Sequence, residues 1–591
     1  MAASRTRLPG AGHDLIDQPA YLPIEVLLVL ATVAVLTPLV LGLCAFVPAT
    51  RRQAGVLLPW AATPALVLAV VSYGPAWGGL VPWLLLGSGV GLDLAGRVCL
   101  LCLGLTWTLS ALSARPWHLH DAAGSRLAGF FLLAMAGHIG LTLSQDAVTF
   151  CVCFAIMSGA AYGLVVHNGS PDAKRAGRHY IYMVVAAGVL LGIGLVVAVD
   201  NAGSFDLAML SRGMLGARSG LIATTAFLLA FGVLAGLVPM HGWLPSGLAV
   251  VPGAAAAALS AAFSLTAALG WLRFVPLGPV ALPDWGFSCL AVGLISVGYG
   301  VMQGLRQRNP AALLGWSTVS QMGVVATAIG MAFVAPGAAA ALKVAVVVYA
   351  AHHALAKTAL FLGADAAGAA SEASPHTAER ARERSASGAA PPPRHSRSPS
   401  VIPANAGIQN WTPAPHQVRG KLIAGVTKDL LHLERDSQRT MSGPAHRSRT
   451  LWVAILAVPV LVLAGAPLTS GAMSAAVLAH ALGLSGMRSA GTLITLVSLA
   501  LAAHTVLMCR FLHLLVQQQP APARAAIPWA WTWVVVATAV SLLSPWLVLR
   551  LAADPAEAIT LSTLWPVVAG VAAGAAAVAT SEWKTPLSSP P

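Results

Sequence analysis

Lys357 stands four residues after His353 in A-H-H-A-L-A-K-T-A-L-F-L-G, the stretch from Ala351 to Gly363, where the other side chains are almost all apolar. A four-residue spacing puts the imidazole and the ammonium on one face of a helix. Both groups can take up and release a proton, so His353 and Lys357 are candidates for a proton relay. An ammonium at membrane depth costs about 2.5–3.5 kcal/mol on insertion scales, and Lys357 is therefore expected to face a protein interior. The plainer alternative is a structural lysine paired with a backbone carbonyl. His352 precedes the pair and points elsewhere on the helix.

A second stretch is L-V-P-M-H-G-W-L-P-S, from Leu237 to Ser246, at or near the end of an apolar span. Pro239 removes a helix hydrogen bond and its ring clashes with the preceding turn. Lipid cannot satisfy the freed backbone groups, so a break there must face protein or a wet cavity. His241 beside it is a third relay candidate. In a third stretch, from Gly304 to Gly323, a basic loop enters a helix at Pro310, and Ser317, Thr318, Ser320 and Gln321 follow close together. Ser317, Ser320 and Gln321 are candidates for lining a polar channel, since hydroxyls and an amide inside a span can bind water or a neighbouring helix.

These residues are carried by an unusually apolar chain. Charged residues make up 9% of the 591 and hydrophobic ones 57%, and the mean hydropathy is +0.77. A soluble domain carries roughly a quarter charged residues, so water is not the solvent for most of this surface. Apolar runs long enough to cross about 30 Å of hydrocarbon recur along the chain. They predict an all-α polytopic transmembrane helix bundle of about 14–15 spans, with inverted repeats and breaks at Pro239 and Pro467. The division is a polar segment at 1–23, a first part of the bundle at 24–365, a basic insert at 366–449, the remaining helices at 450–580 and a tail at 581–591.

The insert changes abruptly to Ser, Pro, Ala, Arg and Glu with a Pro391-Pro392-Pro393 run, and is expected to be largely disordered. Its Ser400–Gln409 piece resembles a translated bacterial intergenic repeat, and Lys421 to Leu433 has the pattern of a short amphipathic helix. The net charge of +14 is spread over loops and the insert, which is the positive-inside pattern and not a nucleic-acid surface. One side collects Arg51, Arg52, Arg115, Lys174, Arg175, Arg178, Arg306, Arg308, Arg510, Arg524 and the insert. That side is expected to be cytoplasmic. The first twenty residues carry no signal-peptide pattern, so the first span is expected to direct insertion.

Other polar residues have plainer readings. His138, Asp146 and Asp200 fall near predicted helix ends and are expected to be caps or interfacial groups. Lys343, in a first turn, is expected to snorkel. The seven cysteines, including the C-x-x-C of Cys99 and Cys102, lie mostly in apolar runs and read as small buried hydrophobes. The loops show no phosphate-binding glycine loop, haem motif, paired acidic signature or metal cluster. No metal, cofactor or catalytic centre is expected in the chain itself.

The three stretches together resemble the antiporter-like membrane subunits of respiratory complex I and its relatives, which include cation/proton antiporter subunits and the membrane arms of energy-converting hydrogenases. The resemblance covers roughly Leu127 to Gly471. The family's K-A-G-x-x-P-x-H-x-W-L-P is matched by Ala235, Gly236, Pro239, His241, Trp243, Leu244 and Pro245; its D-x-K-R-x-L-A-Y-S-S-I-S-Q-x-G is similar to Asn309 through Gly323. Its H-A-L-F-K-A-L-L-F-L is similar to His353–Leu362, and its second broken helix to L-A-G-A-P-L-T-S-G, Leu463 to Gly471.

The charge distribution makes the insert cytoplasmic, and the resemblance implies a multi-pass subunit of a bacterial inner membrane. It implies other membrane subunits of a respiratory or hydrogenase-like complex as partners, a quinone-reducing or hydrogenase module among them, and proton or cation translocation coupled to their redox chemistry. The family's buried glutamate and three lysines align with Ala155, Leu234, Leu265 and Ala475. Leucine and alanine cannot hold a proton, so a non-pumping scaffold is the alternative reading.

Overall fold

In a computed structural model the described residues are 22–72, 74–84, 87–114, 122–215, 218–372, 444–518, 528–548 and 561–580. Most of the basic insert, with the Ser400–Gln409 piece and the Lys421–Leu433 helix expected there, lies outside them, as do the first 21 residues and the tail.

The chain runs through α1 (Ile24–Phe46), α2 (Arg51–Leu57), α3 (Thr63–Val71), a hairpin of β1 (Trp77–Val81) and β2 (Ser88–Leu92), α4 (Leu94–Ser113), α5 (Ala122–Leu143), α6 (Ala147–Val165) and α7 (Pro171–Ala202). It continues through α8 (Leu207–Gly213), α9 (Arg218–Ala235), α10 (Trp243–Leu248), α11 (Gly253–Phe274), α12 (Pro283–Leu305), α13 (Pro310–Val334) and α14 (Ala339–Glu372). After the insert come α15 (Pro444–Ala464), α16 (Ser470–Gly483), α17 (Ala490–Gln518), α18 (Pro528–Val548) and α19 (Leu561–Ala579). Among the described residues eleven helical segments are long and apolar enough to cross a membrane, and five apolar helices are shorter. The protein is an all-helical, multi-pass membrane protein. The antiparallel hairpin, pairing Trp77 with Leu92, adds a small sheet to the helices foreseen from hydropathy.

Burial separates the helices into layers. α11 and α13 are buried almost all round, whereas α1, α7 and α12 keep broad outward faces. Val185, Val189, Ile193 and Val196 of α7 and Ile295 of α12 are exposed, as apolar side chains facing hydrocarbon should be. α14 packs against α4, α11, α13, α15, α16, α17 and α18, which makes it the hub of the bundle. Where α12 crosses α13 the backbones nearly touch. A Cβ on Gly293 would lie 2.6 Å from the Gly323 carbonyl oxygen, and one on Gly323 would lie 2.5 Å from that of Gly293.

Both helix breaks occur where the sequence placed them. α9 ends at Ala235, and Gly236 takes a φ of 69° ahead of Pro239. The Val238 amide then donates to Ser296 Oγ at 3.0 Å, and Trp243 Nε1 donates to the Val233 carbonyl at 2.8 Å. The freed groups are thus satisfied by protein, as hydrocarbon requires. α15 ends at Ala464, Gly465 takes a φ of 83°, Pro467 follows, and Thr469 caps α16.

At one end of the bundle Arg273, closing α11, donates to Asp93 Oδ1 at 3.0 Å and to the Ser144 and Leu141 carbonyls at 3.1 and 3.4 Å. Asp93 also caps α4 through the Gly96 amide at 2.8 Å. Burial pushes the Asp93 carboxyl up, but the Arg273 guanidinium and the Gly96 amide outweigh it, and the net value lies below the ordinary carboxylate range. A carboxylate held low in the folded state stabilises above its unfolded value of about 3.9 and loses that contribution as pH falls through the folded value.

Two outcomes are expected. Gly293→Ala destabilises the purified chain by about 1–3 kcal/mol through overpacking, while Gly298→Ala, with nothing within 4 Å of its added methyl, is neutral in thermal melts. Acidification below about pH 4 lowers the melting temperature of the wild type more steeply than that of Arg273→Gln, which starts lower because its clamp is already gone.

Candidate functional site

Lys357 lies on α14, and its side chain is completely buried. Its Nζ donates to the Leu314 carbonyl and to Ser317 Oγ, both at 2.6 Å and both on α13. One partner is thus a backbone carbonyl and the other a side-chain hydroxyl. Ser317 Oγ is also 3.4 Å from His504 Nε2 on α17. A hydroxyl that accepts from an ammonium still has its own hydrogen to donate. Lys357, Ser317 and His504 thus form a continuous polar line across three helices.

His353 is one turn from Lys357 and also buried, and neither ring nitrogen has a hydrogen-bond partner among the described residues. Its charged or titratable neighbours are Lys357, His352 and His504. His352 does point elsewhere: its Nδ1 meets Ser470 Oγ at 2.7 Å, at the second helix break. α14 therefore ties the Lys357 seam to the start of α16.

The channel candidates divide. Ser317 joins Lys357. Gln321 accepts a hydrogen bond from the Tyr349 hydroxyl, one turn or so from His352 and His353 on α14. Ser320 sits on the α12 side of α13, where a Cβ on Gly300 would lie 3.0 Å from its own Cβ. His241 packs against the rings of Tyr299 and Trp316, each centroid 5.1 Å away, in a three-ring cluster, and Trp316 immediately precedes Ser317. It is half-buried, beside His179, at the first break.

Of the positions aligned with the family's buried charges, Leu234 and Leu265 are buried, Ala155 is exposed and Ala475 is half-buried. His504 was missed because one histidine in a predicted span carries no local pattern. His138 was misplaced: it lies inside α5 and is fully buried, with Nδ1 against the Ala134 carbonyl at 2.8 Å. Asp146 caps α6 and also accepts from the Gly89 amide at 2.8 Å. Asp200 is exposed and Lys343 half-buried. The seven cysteines are free, and among the described residues no cluster has the make-up of a metal site.

The described residues thus form a multi-pass bundle with two interrupted helices and a buried lysine. Residues 144–382 match the family described as NADH:quinone oxidoreductase/Mrp antiporter, transmembrane. Over that stretch, well under half of its length, the chain resembles complex I, Mrp antiporter and hydrogenase membrane subunits. It is 33% identical over 259 residues to hydrogenase-4 component B of Escherichia coli strain K12, covering 42% of this chain and 38% of that one. It is 31% identical over 315 residues to NADH-quinone oxidoreductase subunit M of Pseudomonas aeruginosa, covering 49% and 60%. The matched stretch thus spans between about two fifths and three fifths of these relatives.

A chain of the respiratory complex I of Thermus thermophilus with bound NADH has a TM-score of 0.63 at 19% identity, over 88% of this chain and 97% of that one. A chain of the Mrp complex from Dietzia sp. DQ12-45-1b gives 0.66 at 16%, over 94% and 56%. At these identities the likeness is one of fold.

Ser317→Ala is expected to leave insertion intact and to lower thermal stability by about 1.5–3 kcal/mol, the range for a hydrogen bond to a charged group. An unchanged melting curve would show that Ser317 does not hold the ammonium.

Proposed function

We propose that the chain is a membrane subunit of a complex-I-like or hydrogenase-like assembly in a bacterial inner membrane. In this reading it takes part in moving protons, or another cation, in response to redox chemistry carried by partner subunits. The observation that carries it is Lys357: an amine at the centre of the bundle, bonded to Ser317 and through it in line with His504. Such a line supplies what proton transfer needs, groups that alternately donate and accept over short distances. His353 adds a titratable group on the same face of α14, and His241, packed on Trp316, regulates access from the first break. The basic loops support a cytoplasmic position for the insert.

The central charge row is reduced in this reading. In the family, paired charges bias one another's protonation, an effect that needs both members in a low-dielectric site. Ala155 at the glutamate position leaves Lys357 to act with histidines in place of a carboxylate, and Leu234, Leu265 and Ala475 stand where the family has further lysines. A non-pumping scaffold is the competing reading, and one observation favours it. Beside the second break a cavity of about 50 Å³ is lined by Ala464, Gly465, Ala475, Ala479 and other mainly apolar residues. A path confined to such a lining would not carry charge.

Lys357→Ala is expected to abolish proton transport in vesicles of the assembled complex while leaving assembly intact. Transport at the wild-type rate in correctly assembled complexes would exclude the relay and leave the scaffold.

A further inference from the structure

The first eleven helices contain one more buried imidazole, outside the Lys357 line. Among the described residues of α1 to α11, His138 is the only Asp, Glu, His or Lys with no exposed surface. Its Nδ1 faces the Ala134 carbonyl oxygen at 2.8 Å. A carbonyl can only accept, so Nδ1 carries the hydrogen and Nε2 presents a lone pair. That Nε2 has no partner among the described residues.

Unpaired polar atoms also lie on the two helices that supply the rings packed against it. The Trp107 ring of α4 lies 5.8 Å away and the Phe263 ring of α11 lies 5.4 Å away. Among the described residues Trp107 Nε1, a donor, is buried without a partner, and so are Ser110 Oγ and Thr266 Oγ1, each about one turn along its helix from the contacting ring. Buried polar groups on three adjoining helices, one of them an imidazole, are what internal water serves in proteins, typically with about three hydrogen bonds to each molecule. The helix that carries Trp107 and Ser110 is also tied to the hub. Thr106, next to Trp107, accepts from Thr358 Oγ1 at 3.3 Å, and Thr358 is the residue after Lys357.

We propose that His138 is a second proton-carrying site, served by internal water and joined to α14 through Thr106 and Thr358. A hydrated proton passes to Nε2, giving an imidazolium whose Nδ1–H stays on Ala134; release returns the proton from Nε2 to water, and no other bond changes. The site supplies a titratable group to the half of the bundle in which Ala155 and Leu234 stand at the aligned charge positions. This inference rests on the reading of Lys357 as a proton carrier.

The test measures proton translocation in vesicles of the assembled complex carrying His138→Gln, His138→Phe or Thr106→Val, with the amount of assembled chain determined in parallel. Glutamine keeps the size and hydrogen-bonding character of the side chain but cannot carry a proton. Both His138 variants are expected to lose at least about tenfold in rate, and Thr106→Val to be slowed with them, at wild-type levels of chain. Should the phenylalanine variant fail to accumulate, the glutamine variant decides. A wild-type rate in His138→Gln overturns proton carriage by His138, and a wild-type rate in Thr106→Val overturns the connection through α4. Full transport in Lys357→Ala would instead remove the parent reading, whereas an inactive Lys357→Ala beside a fully active His138→Gln removes only this one.

Discussion

Hydrocarbon offers no hydrogen bonds, and an ammonium group or an interrupted backbone placed at membrane depth must find every partner within the protein. The arrangement around α14 answers to that requirement. Lys357 is held between a carbonyl and a hydroxyl of α13, and those contacts set where the two helices must lie relative to each other. At the first break Ser296 and Trp243 take up the backbone groups freed ahead of and around Pro239. At the second, Thr469 caps the new helix and Ser470 receives His352. Each interruption is tolerated because a neighbouring helix delivers a polar atom to it.

The same requirement organises the polar residues of α14 radially. His352 reaches α16, Lys357 reaches α13 and, beyond Ser317, α17, and Thr358 reaches α4. Tyr349 bonds to Gln321 of α13. One helix thus connects the broken α15–α16 pair to the front of the bundle. Close packing elsewhere makes room for this, notably where α12 and α13 meet backbone to backbone at Gly293 and Gly323. Small residues at helix crossings are how membrane proteins gain dispersion contacts where no hydrophobic driving force exists between helices.

Functionally the seam is a row of neutral or basic groups without a carboxylate in contact, since Lys357 bonds only to a carbonyl and a hydroxyl among the described residues. That separates it from a paired-charge site, in which a neighbouring negative charge stabilises the ammonium. Changes of protonation here would depend on hydroxyl and imidazole partners that can reorient, and the Ser317 hydroxyl is positioned between the ammonium and the His504 imidazole.

Much of the architecture was legible from the amino acids alone, because solvent preference and backbone geometry are local properties. Long apolar runs required a membrane, Gly236–Pro239 and Gly465–Pro467 required breaks, and an isolated lysine in an apolar stretch required an inward face. The hairpin before α4, rich in glycine and short, left no such trace. His138 and His504 were beyond sequence reading for a different reason. Each is a single polar residue in an apolar helix, and whether it is a helix-end group, a packed ring or part of a line depends on what a distant helix places beside it. Ser317 and Ser320 make the point within one helix, since only the packing of α13 between α14 and α12 assigns the first to Lys357 and the second to Gly300. The sequence by itself determined the solvent, the breaks and the burial of Lys357; the tertiary structure decided its partners, because side chains far apart in the chain meet only once the helices have packed.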